Sequence, residues 1–367
     1  MISVSQRELT KALGDVGLVV PSRSPVDSAR SVIIYDEADG IVIEGYNSEL
    51  FLRKKIVGSG LLGGTCVVQH SVVYNTIRCC RSEVIELSIE SGKLLVSDGE
   101  NRFTFETFTP ESKPKFSVQL EKWGVCESSR IGVALGTISH CLTKVEHSQI
   151  RPDCIYWKLG GSSSVLAVDG RRMFMMPIHF EGLRQDDEYK FLLHQNYINA
   201  LTPLLGSGAI EVFGSSSMVG FSGRDWQIAG SLMDGKSLDA ARMFQDQEYS
   251  ITVTPQDLKA AARAIEPFAE PDCKEDRPAI RVEAGNGKVV LSCRARNLGS
   301  GEVSIPAKTN NTCSGYFQFR YIKELAVNTD GILHFGITPK AMHVRSDLGL
   351  LGKIAGVVEE IARENGR

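Results

Sequence analysis

Two hydrophobic periods alternate along the chain, and their order predicts one unit repeated six times. Each unit opens with a short β-like stretch and a polar or capping residue. About twelve residues with apolar positions at helical spacing follow, then runs in which apolar and polar residues alternate. The helix openings are Ser5-Gln6-Arg7-Glu8-Leu9, Gln69-His70-Ser71-Val72-Val73, Ser128-Ser129-Arg130-Ile131, His194-Gln195-Asn196-Tyr197-Ile198, Thr254-Pro255-Gln256-Asp257-Leu258 and Gln318-Phe319-Arg320-Tyr321-Ile322. Ser5 stands three residues before Glu8, the capping-box spacing, and Thr254 precedes Pro255, which loses nothing at a first helical position. With Leu9, Val73, Val133, Ile198, Leu258 and Ile322 as the equivalent core position, the gaps are 64, 60, 65, 60 and 64 residues. The alternation makes the stronger period two units long, predicting three domains at 1–121, 122–245 and 246–367, each of two half-domains.

Period-two runs predict hairpins at Ser31 to Tyr35 with Ile41 to Gly45, Ile85 to Ile89 with Leu94 to Ser97, and Ile280 to Ala284 with Val289 to Cys293. Ala38-Asp39-Gly40, Ser91-Gly92 and Gly285-Asn286-Gly287 supply the turns. Helix followed by hairpin gives antiparallel sheets with helices on one face, an α+β protein. In the tail, Ile354, Val357, Val358 and Ile361 have the spacing of one helical face.

Composition narrows the function classes. Of 367 residues, 42% are hydrophobic and 23% charged, as in folded soluble proteins. The net charge of −3 excludes a surface coated in positive charge, so any nucleic-acid site must be a local concentration of Lys and Arg. Nine cysteines without a C-x-x-C pair read as reduced thiols rather than a disulfide or zinc framework. No basic start followed by an apolar run opens the chain, and Leu348 to Val358 falls short of a membrane span, so a cytoplasmic protein with no membrane association is expected.

The sixfold layout, paired into three domains of similar length, resembles the bacterial DNA polymerase III beta subunit, or beta sliding clamp, family. Ala167-Val168-Asp169-Gly170-Arg171-Arg172-Met173 is similar to the family's Ala-Thr-Asp-Gly-His-Arg-Leu stretch. Leu232-Met233-Asp234-Gly235 through Leu238-Asp239 and Arg242 is similar to its Leu-Val-Asp-Gly-x-Phe-Pro-Asp-Tyr segment, and Arg23 with Pro25 matches its early loop. Arg171 replaces the family's His, Leu238 and Ala240 replace its Pro and Tyr, and a longer tail replaces its Met-Pro-Met-Arg ending. The resemblance is to a divergent member.

This resemblance implies a ring-forming DNA clamp fold and a processivity factor that encircles double-stranded DNA without reading its sequence. Basic residues at helical spacing fit such a lining: Arg7 and Lys11, Lys259 and Arg263, Arg320 and Lys323, Arg78 and Arg81, with Arg130 and Lys144 in the third unit. The family adds Arg23 and the loop residues His147, Gln149 and Arg151. It implies a groove for short peptides of DNA polymerase and clamp-loader subunits, carried here by Gly170, Arg171, Arg172, Met173, Leu238, Arg242, Met243, Gln318, Tyr321 and Met342. It also implies a head-to-tail homodimer, with candidate edges at Arg102, Phe103 and Phe105 and at Glu302 and Val303.

One motif competes. Gly230-Ser231-Leu232-Met233-Asp234-Gly235-Lys236-Ser237 satisfies the phosphate-binding P-loop pattern, which would make the chain a nucleotide-binding protein. Against it, the lead-in 225–229 belongs to a hairpin series, whereas a P-loop needs a buried parallel strand before it and a helix after it. The Gly58 to Gly64 stretch reads as a connector between half-domains. Seven scattered histidines and no nucleophile, metal or paired-acid motif give no expectation of catalysis, metal or cofactor. A third reading is a clamp-fold scaffold that no longer encircles DNA.

Overall fold

The structure, a computed structural model, describes residues 1–109, 120–143, 150–183, 187–238, 243–244, 247–269, 278–295 and 298–357. Six β-α-β-β-β repeats account for nearly all of its regular structure. The first is β1 (Ile2–Ser5), α1 (Gln6–Gly17), β2 (Ser31–Glu37), β3 (Gly40–Tyr46) and β4 (Leu50–Gly60). The second is β5 (Thr65–Gln69), α2 (His70–Cys79), β6 (Val84–Glu90), β7 (Lys93–Ser97) and β8 (Arg102–Glu106). The third is β9 (Glu121–Glu127), α3 (Ser128–Ile138), β10 (Cys154–Leu159), β11 (Ser164–Val168) and β12 (Arg172–Pro177). The fourth is β13 (Tyr189–His194), α4 (Gln195–Leu201), β14 (Ala209–Gly214), β15 (Met218–Ser222) and β16 (Trp226–Ser231). The fifth is β17 (Ile251–Val253), α5 (Pro255–Ala269), β18 (Ala279–Gly285), β19 (Lys288–Ala295) and β20 (Gly299–Pro306), with a short β21 (Lys308–Thr309) after it. The sixth is β22 (Cys313–Gln318), α6 (Phe319–Asn328), β23 (Leu333–Ile337), β24 (Ala341–Ser346) and β25 (Leu351–Ala355).

All six helices begin at the openings read from the sequence. Ser5 accepts the Glu8 backbone N–H, and Thr254 accepts that of Asp257 at 3.1 Å, as N-caps do. Leu9, Val73, Ile198, Leu258 and Ile322 are buried, each the fourth residue of its helix. The third anchor needs correction. Val133 is 52% exposed, and Ile131, fourth in α3, takes the core position.

The strands follow a rule invisible in any one repeat: the opening strand of each repeat joins the sheet of its neighbour. Thus β1 pairs with β6 and β5 with β2, β9 with β14 and β13 with β10, β17 with β23 and β22 with β18, all antiparallel. This exchange binds the repeats into three pairs. A second rule concerns the closing strands. β4 pairs with β16 over Leu50 to Lys54, and β12 pairs with β25 over Arg172 to Met175. β8 and β20, the closing strands of the second and fifth repeats, are edges of their sheets.

Ser91 and Gly92, and Asn286 and Gly287, have positive φ, the backbone that two-residue hairpin turns require. The chain groups into two compact units, Met1–Gly132 with Phe180–Arg184 and Asn196–Leu232, and Val133–His179 with Gln185–Gln195 and Met233–Arg367. In the first, the core gathers Ile2, Leu9, Leu13, Ile34, Ile43 and Phe221, and Lys54 is buried between Asp225 at 2.9 Å and Asp15 at 3.7 Å. In the second it gathers Trp157, Phe174, Phe317 and Phe319.

Three sequence expectations meet direct structural answers. The P-loop match fails: β16 lies antiparallel between β15 and β4, and residues 232–238 leave it as irregular chain rather than a helix. Gly230 is needed instead because a Cβ there would stand 2.5 Å from Leu50 and 2.9 Å from Tyr197. The glycine-rich connector cannot hold a phosphate either, since the amides of Leu62, Gly63 and Gly64 donate to the Asp36 carboxylate at 2.5, 2.9 and 3.1 Å. The tail is strand, not helix, as far as it is described: Ile354 is buried in β25 opposite Met342 and Arg172, and the Val357 N–H donates to the Tyr316 carbonyl at 2.8 Å. Val358 and Ile361 lie outside the described residues.

Candidate functional site

The basic residues divide by what their charge meets. α1 buries Leu9, Ala12, Leu13 and Val16 and leaves Arg7 and Lys11 exposed. On α2, Arg78 is exposed with its guanidinium 5.6 Å from the Tyr74 ring centre. Arg81, Arg130 and the loop residue Arg23 are exposed as well. α5 buries Leu258, Ala261, Ala262 and Ile265, leaving Arg263 exposed and Lys259 half-buried. Among the described residues Arg7, Arg78, Arg130, Lys259 and Arg263 form no carboxylate pair, so their charge is available to an external anion.

Three other basic residues are already engaged. Arg320 on α6 pairs with Glu324 at 2.7 Å, and Lys323 pairs with Glu266. Arg151 forks onto the Asp153 carboxylate at 3.0 and 2.9 Å and donates to the Asp234 carbonyl at 3.3 Å. That fork holds the Asp153 carboxyl below the usual range and neutralises Arg151 locally. Lys144, His147, Gln149 and Arg242 lie outside the described residues.

The groove residues also separate. The sheet formed by β13, β10, β11 and β12 carries an apolar cluster on one face: Cys154, Tyr156, Leu166, Val168, Met173 and Leu192, with Ile150, Met175, Met233, Leu238 and Phe244 against it. Register explains it. Tyr156 stands opposite Leu166, Leu166 opposite Met175 and Val168 opposite Met173, and paired residues share a face. A cavity of about 470 Å³ opens there, lined by Tyr156, Leu166, Met175, Leu192 and Leu238 among others. Sequence reading reached Met173 and Leu238 but missed Tyr156, Leu166, Met175 and Leu192. Residues 154–157 and 165–168 are continuous apolar runs buried on both faces, so no local alternation marked which side chains line the cavity.

Arg172, Met342, Gln318 and Tyr321 are buried, and strand alternation turns Arg172 and Met342 away from Met173. The Arg172 guanidinium has four partners, two of them on α6: it donates to Asp169 at 2.9 Å, to Glu324, and to the His140 carbonyl at 2.7 Å, and lies 4.3 Å from the Tyr321 ring centre. Gly170 and Arg171 form the exposed turn beside it, where Asp169 accepts the Arg171 and Arg172 amides at 2.9 Å. Met243 is 43% exposed. Among the edge residues, Arg102 and Glu302 are exposed, Phe103 and Val303 half-buried, and Phe105 buried.

One juxtaposition resembles a catalytic set. His194 approaches Asp153 at 3.5 Å, and Cys154 is adjacent. Burial pushes the Cys154 thiol up to about 12, leaving no thiolate to act as a nucleophile near neutrality. His140 offers a measurable titration instead. Its ring is packed 5.2 Å from Phe174, and burial, with the Arg172 charge adding to it, lowers its pKa to about 4. Unfolded chain protonates this group near pH ~6.5, folded chain only near 4, so its stabilisation is complete above 6.5 and is lost as pH falls toward 4. Urea titrations at pH 7 and 4.5 should give a stability loss up to about 3 kcal/mol larger in the native protein than in His140→Leu.

Comparison with known proteins agrees with this architecture. Residues 1–117 match the family model for the DNA polymerase III beta subunit, N-terminal domain. The beta sliding clamp of Micrococcus luteus is 20% identical over 308 residues, 83% of this chain and 98% of that protein. The Pseudomonas aeruginosa DNA polymerase III subunit beta superposes with a TM-score of 0.84 at 17% identity, covering 98% of this chain and 100% of the other. The Bartonella birtlesii sliding clamp, solved bound to griselimycin, gives 0.83 at 18% identity, covering 97% and 99%. The chain therefore carries the DNA clamp fold throughout, and its first 117 residues match the N-terminal domain of the DNA polymerase III beta subunit, of which it is a divergent relative.

Proposed function

We propose that the chain is a sliding clamp: two copies close head to tail around duplex DNA and tether a polymerase and other partners through short peptides. The observation that carries this reading is the rule for closing strands. The first repeat's closing strand pairs with the fourth's, as β4 with β16, and the third's pairs with the sixth's, as β12 with β25. Each junction therefore joins the first half of one pair to the second half of the next. The same step from the fifth repeat leads to the second repeat of another copy, joining β20 to β8. Such a contact is heterologous and closes only if the rotation sums to a ring, which three pairs per chain allow with two chains.

Inside such a ring, Arg7, Lys11, Arg78, Lys259 and Arg263 supply diffuse attraction to phosphates without reading bases, so the DNA is held and yet slides. Nothing in this role requires a chemical step. The three half-domain pairs correspond to domains at 1–121, 122–245 and 246–367. The apolar face around Tyr156, Leu166, Met173 and Leu238 suits a short peptide with large apolar residues. Griselimycin, held by the Bartonella birtlesii relative, is a first ligand to try on this chain. Light scattering at micromolar concentration tests the assembly: twice the 40.2 kDa chain mass is expected, and a monomer would overturn the ring.

A further inference from the structure

The sheet face that carries the apolar cluster does not end at β12. β25 pairs beyond it and β24 beyond that, so one face continues from Met173 to Lys353 to His343, and from Met175 to Leu351 to Arg345. The opposite face of these strands is core: Phe174, Ile354, Val344 and Met342 are buried. The outward residues change character across the strands, apolar on β11 and β12, then mixed on β25, where Lys353 follows Leu351, and polar or basic on β24, at His343 and Arg345. Arg345 is exposed with its guanidinium 4.9 Å from the Tyr249 ring centre, which limits its freedom before any ligand arrives. Lys353 is half-buried. Among the described residues neither is paired with a carboxylate. At the other margin of the cavity Lys158 and Lys190 share one carboxylate, Glu188, at 3.0 and 2.7 Å. The face is therefore polarised by degree: its β24–β25 side carries two cations with no ion pair among the described residues, whereas the two lysines opposite are partly neutralised.

We propose that the partner peptide is an apolar anchor with carboxylates on one flank, the anchor seated on Leu166, Met175 and Leu238 and the carboxylates reaching Lys353 and Arg345. This rests on the groove reading above and adds the chemistry of the ligand. Neighbouring strands lie about 4.8 Å apart, so Arg345 on β24 is roughly 14 Å from β11, a distance that about four extended residues cover. The acidic residues belong about three to five positions from the anchor. Exposed ion pairs contribute modestly, so carboxylates opposite the two cations should raise affinity roughly three- to tenfold at low salt.

Two synthetic peptides with the same apolar Leu-Leu-Phe anchor, one with Asp and the other with Asn at the third to fifth positions from it, separate the possibilities in fluorescence anisotropy at about 50 mM salt. The acidic peptide should bind the native protein more tightly by that factor, and Lys353→Gln with Arg345→Gln should erase the difference while leaving the neutral peptide's affinity unchanged. Unaltered binding of the neutral peptide also reports that the double variant is folded. Equal affinities in the native protein, or a gap that survives the double substitution, would overturn the polarised face and leave the groove standing. Binding of neither peptide would overturn the groove and this proposal with it. Leu238→Asp should abolish both interactions.

Discussion

Phe103→Asp will turn the proposed head-to-tail dimer into a folded monomer, and so will Val303→Asp. Each residue is half-buried on a sheet-edge strand, β8 or β20, where a second copy would add its own strand. A carboxylate trapped in that seam loses water without gaining a partner, while the isolated subunit leaves it partly hydrated. A well-packed seam residue is worth about 2–4 kcal/mol, so the dimer constant should weaken roughly 30- to 1,000-fold. Light scattering reads this directly. Mixing the two variants gives a sharper result: the Phe103→Asp chain keeps an intact β20 and the Val303→Asp chain an intact β8, so together they regain dimers through one seam. A face-to-face dimer, in which the same patch meets itself, would show no such rescue.

Arg172→Ala will be the most damaging single substitution to stability in the second unit. The Arg172 side chain is 2% exposed, and its guanidinium satisfies Asp169, Glu324 and the His140 carbonyl at once. Without it, the Asp169 carboxylate, whose side chain is 7% exposed, stays buried beside an unanswered carbonyl. Breaking a buried pair from one side costs about 3–5 kcal/mol, which at roughly 2–4 °C per kcal/mol lowers the melting temperature by about 6–20 °C. Arg172→Lys should recover only part of this, because an ammonium cannot fork onto Asp169 while reaching His140 and Glu324. A scan showing less than about 2 °C for Arg172→Ala would remove the residue from its structural role.

Arg172 illustrates both what a sequence exposes and what it withholds. Helix starts are local, so Ser5, Thr254 and Pro255 announced them, and Val133 was misplaced only because α3 carries apolar residues on more than one side. Strand exchange between repeats is a long-range choice with no local signature. Basic residues could be found on helices, but whether a carboxylate answers them depended on contacts such as Lys323 with Glu266, 57 positions away. Arg172 lay inside a recognisable motif, yet its burial required Glu324, 152 residues further on. The apolar face was half legible, in Met173 and Leu238, while Tyr156, Leu166 and Leu192 needed the register of three strands to be seen as one surface.

Retention on circular DNA tests encirclement itself. Protein assembled on a nicked plasmid, then washed in about 1 M salt to screen phosphate contacts, should stay on the circle and leave once the plasmid is cut to a linear form. Loss from the circle in the wash, or equal retention before and after cutting, would contradict a ring that holds DNA by topology.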